Sequence, residues 1–223
     1  MKAMGYGELW LVEPSVFPHP EAEALAVGAV DLLKNARIVS TVAEAVADCG
    51  LVFGSTARSR AEYYWPTYGP REAATRLQAA ASGQPVAVLF GSERVGLSNA
   101  DLAHCSALIK IPTVAEFSSL NLAQAVQIVA YELHCATRVE GLPLMPSERN
   151  QLLASQAELR QLYEHFGQVL DNIDFTDRQG GPYLLQRLER IFTRSTLDQR
   201  EVGLLRGILT AVQAKRRRAG SLK

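Results

Sequence analysis

The chain has 223 residues, of which 48% are apolar and 21% charged, with 23 basic and 23 acidic side chains. That suits one large domain, or a core domain with a smaller appendage. No apolar run is long enough to span a bilayer, and Met1-Lys2-Ala3-Met4-Gly5 lacks the apolar core of a signal peptide, so a membrane protein is not expected.

Leu9 to Val12 reads as a short strand stopped by Pro14. Residues 21–33 read as a helix with Ala24, Ala26, Val27, Val30 and Leu33 on its apolar face. Arg37 to Val39 is a second strand. Thr41, with Glu44 three residues on, has the pattern of a capping box for a helix running to about Asp48. Leu51 to Phe53 forms a strand ending at Gly54, followed by the loop Gly54-Ser55-Thr56-Ala57-Arg58-Ser59-Arg60. Residues 61–69 are aromatic and read as irregular, and a helix is expected from Pro70 to Ala81.

The stretch 86–133 organises the rest. The apolar run Val86 to Phe90 breaks at Gly91 into a polar loop carrying Glu93, Arg94 and Gly96. A second apolar segment, Ala107 to Ile111, stops at Pro112, and Ser118 and Ser119 then open a long apolar helix. Strands alternating with helices imply an α/β domain with a mainly parallel sheet, and ligands usually sit where such strands end in loops. Gly54 and Gly91, at two such ends, suit a close approach of backbone to ligand or an ordinary tight turn. Asn121, in the first turn of so apolar a helix, needs a partner, whether backbone, ligand or catalytic group.

The alternation stops near Thr137. Residues 138–150, with Gly141, Pro143 and Pro146, read as a linker, and the remainder, 151–223, is helical. Leu152, Leu159, Leu162 and Phe166 fit one helix; Leu184, Leu188, Ile191 and Phe192 a second; Val202, Leu205, Leu209 and Val212 a third. Residues 1–137 hold 9 Lys+Arg against 13 Asp+Glu, and residues 138–223 hold 14 against 10. The C-terminal part is therefore where a polyanion contact or a solvated charged face is expected. Arg187, Arg190 and Arg194 share a helix face, read as opposite Leu184, Leu188 and Ile191, and Lys215 to Arg218 form a basic tail.

Several chemistries are excluded. Gly91 to Gly96 has P-loop glycine spacing, but Leu97-Ser98 follows where Lys-Ser/Thr is required. There is no Gly-x-Ser-x-Gly elbow, and His19, His104, His134 and His165 have no partner at metal spacing. No metal site is expected. Cys49, Cys105 and Cys135 read as small buried hydrophobes in a reducing cytoplasm.

Phe90-Gly91-Ser92-Glu93-x-x-Gly96-Leu97-Ser98-Asn99, then Ile111-Pro112, then Ser118-Ser119-Leu120-Asn121-Leu122-x-x-Ala125 and Tyr131-Glu132, resemble the second and third motifs of the SpoU (TrmH) branch of the SPOUT methyltransferases. Met1-Lys2-x-Met4-Gly5 before Leu9-Trp10-Leu11-Val12, the Gly54 to Arg60 loop, and Arg187-x-x-Arg190-Ile191-Phe192-Thr193-Arg194 with Leu204-Leu205-Arg206-Gly207-Ile208-Leu209 resemble the TrmJ type. The resemblance spans nearly the whole chain. It implies a trefoil-knotted α/β SPOUT domain over 1–137 with a small helical extension over 151–223, acting as a homodimer. It implies a cytoplasmic enzyme that methylates the ribose 2′-hydroxyl of C or U at tRNA position 32, using S-adenosylmethionine and no metal. The cofactor pocket would use Ser55, Thr56, Ala57, Gly91, Ile111, Ser118, Ser119 and Leu120. Glu93, Ser119 and Asn121 would form the catalytic set, with Glu93 orienting an arginine. Arg58, Arg60, Arg187, Arg190 and Arg194 would contact RNA.

One departure stands against this. The family's first motif carries an Asn and an Arg just before the Met-Lys-x-Met-Gly segment, and the sequence begins at that segment. Taken literally, the chain is expected to have an incomplete sheet and weak or no activity by itself. The competing readings are a non-catalytic knotted module that binds RNA or S-adenosylmethionine, and an unrelated α/β nucleotide binder.

Overall fold

The computed structural model describes residues 1–57, 65–114, 116–117, 119–137, 152–175 and 181–220, with backbone alone at 181–182 and 216–220. Four strands form a parallel sheet in the order β4 (Thr67–Tyr68), β6 (Ala107–Ile109), β3 (Leu51–Ser55), β5 (Val86–Leu89). The first two strands, β1 (Trp10–Val12) and β2 (Arg37–Val39), pair in parallel with each other as a separate two-stranded sheet. The single sheet expected from the alternation is therefore two sheets among the described residues.

Side chains alternate across the larger sheet with the period of two that a strand imposes. Val52, Leu108 and Ala87 face one side, where they meet Val46, Cys49, Leu97, Leu102 and Cys105. Leu51, Phe53, Ala107, Ile109 and Val88 face the other, against Ala73 and Leu77 of α4 (Pro70–Ala81) and Val129 of α6 (Leu122–Thr137). The first side is roofed by α3 (Val42–Ala45) and α5 (Asn99–Leu102). Both faces are thus buried, as parallel strands require.

Local signals place most element ends. Thr41 accepts from the Glu44 amide at 3.2 Å and starts α3. Pro70 occupies the first turn of α4, where its missing N–H costs nothing. The helix expected over 21–33 is instead α1 (Pro20–Ala26), a 3-10 turn over Val27–Ala29, and α2 (Val30–Lys34). Val27 adopts φ +44°, which no α-helix accommodates. Residues 67–68, expected to be irregular, form the edge strand β4 on β6.

Three helices follow: α7 (Gln156–Asn172), α8 (Gly181–Ser195) and α9 (Gln199–Gly220). Of these, α7 and α9 enclose a second core of Leu159, Leu162, Val169, Val202 and Leu209, and α8 packs on α7 through Phe192 against Phe166. This core is tied to the sheet through the start of α7, where the Gln156 and Ala157 amides donate to the Cys49 and Ala47 carbonyls at 3.1 and 3.0 Å. Leu153 packs into the sheet's own core. The expected linker, 138–150, lies outside the described residues.

Burial pushes the Cys105 thiol up to about 12 and the Cys49 thiol up to about 11. Both should resist a thiol reagent in the native protein, which should label Cys135 alone, with three labels appearing on denaturation. Because the folded thiols stay protonated while the unfolded ones ionise from about 9 upward, stability should fall as pH rises between the two values. Denaturation midpoints measured across that range check the sign.

Candidate active site

Parallel pairing sends three chain segments out at one edge of the sheet. Ser55 pairs with Ile109 and Gly54 with Leu89, so β3, β5 and β6 end side by side. The Thr56 amide donates to the Ile109 carbonyl at 3.0 Å, extending the β3–β6 ladder to the start of the loop.

The loop after β5 folds back on itself. The Gly96 amide donates to the Ser92 carbonyl at 2.8 Å, and Gly96 takes φ +68°. A Cβ on Gly91 would collide with the Gly96 carbonyl and the Leu97 amide. Gly91 is therefore needed by the return of the loop, which leaves Glu93 exposed within it. Gly54 is likewise set by packing: a Cβ there would lie 2.8 Å from the Cys105 Sγ and 3.0 Å from Leu97 Cδ1. Close approach is required at both glycines, and in both the neighbour is protein. Leu97 is buried and anchors the loop, and Ser98 with Asp101 forms a capping box that starts α5.

The loop after β6 supplies the partner for Glu93. Asn121 caps α6, its Oδ1 accepting from the Ala123 amide at 2.9 Å and its carbonyl from the Ala125 amide at 3.0 Å. Its Nδ2 donates to Glu93 Oε1 at 2.5 Å. The demand for a partner at Asn121 is thus met by backbone and by a carboxylate at once. The helix starts at Leu122, not at the serines: Ser119 precedes it, and Ser118 lies outside the described residues. Among the described residues Glu93 orients this amide and no arginine.

Ser55, Thr56, Ile111 and Leu120 are half-buried, while Ala57 and Ser119 are exposed. Ile111 packs against the sheet's core. Beside these residues a hollow of about 400 Å³ is lined by Ala57, Tyr68, Gly69, Lys110, Pro112 and Val114. Sequence reasoning missed Lys110 and Tyr68; the signal for Lys110 was a charge set between the apolar Ile109 and Ile111. Arg58 and Arg60 lie outside the described residues.

Residues 1–131 match the model of the SpoU rRNA Methylase family. The chain belongs to this family. Residues 157–221 match the C-terminal domain model of the tRNA methyltransferase TrmJ. The chain is 42% identical over 216 residues to the tRNA (cytidine/uridine-2′-O-)-methyltransferase TrmJ of Escherichia coli strain K12, covering 96% of this chain and 87% of that one. Against the protein of the same description from Cronobacter sakazakii it is 40% identical over 218 residues, covering 97% and 89%. In three dimensions it is similar to TrmJ from Z. mobilis ZM4, with a TM-score of 0.81 at 35% identity, covering 96% of this chain and 90% of that one. A parallel sheet flanked by helices, with three loops at one edge, is the SpoU family's SPOUT methyltransferase fold in this chain.

In this SpoU-family chain the C-terminal arginines sit differently from their expected placement. Arg187, Arg190 and Arg194 are exposed along one stripe of α8, but Ile191 lies on that stripe with them at 42% exposure. Successive residues advance about 100° round a helix, so Ile191 falls beside Arg187, and the inward side carries half-buried Leu184, Leu188 and Phe192 with buried Thr193.

The Glu93–Asn121 bond is testable as a pair. Glu93→Ala and Asn121→Ala should each lower stability modestly, with the double variant no worse than the sum less a coupling of about 1 kcal/mol. A urea-denaturation double-mutant cycle reads this; strict additivity would mean that the bond does not hold the two loops together.

Proposed function

We propose that this chain transfers a methyl group from S-adenosylmethionine to the ribose 2′-hydroxyl of a cytidine or uridine at position 32 of a tRNA anticodon loop. It does so in the cytoplasm as a homodimer of trefoil-knotted domains, with 1–137 as the methyltransferase domain and 151–223 as its helical extension. The observation that carries the reading is the Asn121–Glu93 hydrogen bond across two loops at the C-terminal edge of a parallel sheet, in a chain of the SpoU methylase family.

The residues at that edge suit the cofactor. Half-buried Ile111 and Leu120 offer apolar walls for an adenosine, next to the Ser55 and Ala57 segment and the Gly91 turn, whose backbone groups are polar. When bound, S-adenosylmethionine supplies a methyl group already activated by its sulfonium, so no metal is required. The protein's tasks are alignment and proton removal. Glu93 holds the Asn121 amide, fixing one loop against the other, and Ser119 stands two residues before Asn121 to contact the ribose. Arg58 and Arg60 take RNA phosphates as charge-assisted donors. The cofactor would give up its methyl group to the ribose oxygen and be left as a neutral thioether, and the hydroxyl proton would pass to water. The catalytic set at one sheet edge favours this over a module that only binds RNA.

Calorimetry should detect S-adenosylmethionine binding, and a nuclease digest of tRNA incubated with protein and cofactor should contain a 2′-O-methylated pyrimidine nucleoside. Asn121→Ala should reduce the methylation rate about 100-fold while changing cofactor affinity little, because a misplaced loop costs that much in rate. The absence of both cofactor binding and a methylated nucleoside would overturn the proposal.

A further inference from the structure

A second cavity lies far from the catalytic loops. Trp65 forms one wall, and the exposed stripe of α8 forms the other, enclosing a groove of about 400 Å³. Trp65 is fixed: its Nε1 donates to the Cys105 carbonyl at 2.8 Å and its ring packs against the core beneath the sheet. Cys105 lies just before β6 begins, so Trp65 marks the N-terminal edge of the sheet. Glu93 and Asn121 occupy loops at the opposite edge. The groove is therefore separate from the Glu93 and Asn121 loops of its own chain.

Its opposing wall combines charge and aromatic surface. Arg187, Arg190 and Arg194 line it together with Tyr183, which is 46% exposed, and Gln186. Among the described residues, those that line the groove include no carboxylate. Glu189, on the same helix, is half-buried, and burial raises its carboxyl above the ordinary range. The helix is held by its other face, where Phe192 stacks on Phe166 at 5.2 Å and Thr193 bonds Tyr163 at 3.0 Å. A merely solvated charged face would not confront a tyrosine and three guanidinium groups with an anchored indole. Aromatic faces set in a cationic groove are the means by which proteins hold unpaired nucleotides, bases on the rings and phosphates on the arginines.

We infer that the groove between Trp65 and α8 is a subsite for an unpaired nucleotide of the RNA substrate, remote from the methylated one. The inference rests on the RNA-methyltransferase reading for its choice of RNA over other polyanions. Tyr183 and Trp65 provide the base platform, and Arg187, Arg190 and Arg194 the phosphate contacts.

The test uses the full chain with Trp10→Phe, which leaves Trp65 as its one tryptophan, and a fluorescein-labelled oligoadenylate without cofactor. Oligoadenylate should quench Trp65 emission, whereas the abasic ribose-phosphate oligomer should leave it unquenched and bind about tenfold more weakly. Tyr183→Ala, exposed and harmless to the core, should weaken oligoadenylate binding about tenfold. Arg187→Ala and Arg190→Ala should each lower the slope of log affinity against log salt by roughly 0.7. Binding with unchanged Trp65 emission, or no binding, or equal affinity for the abasic oligomer, would overturn the subsite. Because no cofactor is present, failure to methylate tRNA leaves this result standing. Methylation of tRNA without quenching would remove the subsite alone.

Discussion

Everything functional in this molecule depends on the parallel pairing of β3 with β5 on one side and β6 on the other. Parallel strands end at the same edge, so segments more than 30 residues apart in sequence emerge as neighbours. The pairing is specified by burial on both faces: Val52 turns to one core and Leu51 and Phe53 to the other, all nearly inaccessible. A one-residue slip would exchange the faces of every side chain in β3, so the register is strongly set. The positions of the three loops follow from it.

Within that frame the loops are shaped by protein contacts before any ligand is considered. Gly91 makes room for its own loop to return, and Gly54 makes room for Cys105 and Leu97. Asn121 satisfies the start of α6 while its amide reaches Glu93. A residue that caps a helix and bridges two loops is positioned by both, so its geometry is set before any ligand binds.

The C-terminal helices are an integral part of this arrangement. The chain entering α7 donates two amides to the carbonyls just before β3, and Leu153 fills the sheet's core. Leu153 also bridges to Asp198 at the head of α9, and the Ala154 amide donates to the Leu197 carbonyl at 2.8 Å. This docking holds α8 against Trp65, creating a cationic groove that neither part possesses alone.

The sequence by itself determined the periodic features. The apolar strands at Leu51 to Phe53 and from Ala107, the helix over 70–81, a helix carrying Leu159, Leu162 and Phe166, and the Thr41 cap are local signals that the structure repeats, although Leu152 falls before that helix and the strand from Ala107 ends at Ile109, short of Ile111. The motif blocks by themselves also point to the SpoU family. Tertiary structure decided what local signals do not encode. Val27 takes a positive φ that divides one expected helix, and a two-residue strand at Thr67–Tyr68 exists only because β6 offers it an edge. Ile191 shares a face with arginines that simple hydrophobicity would have kept apart from it. The bond from Asn121 to Glu93 spans 28 residues of chain, and the approach of Trp65 to Arg187 more than a hundred. Such contacts depend on how strands and helices are ordered in space, which side-chain periodicity along one segment does not specify.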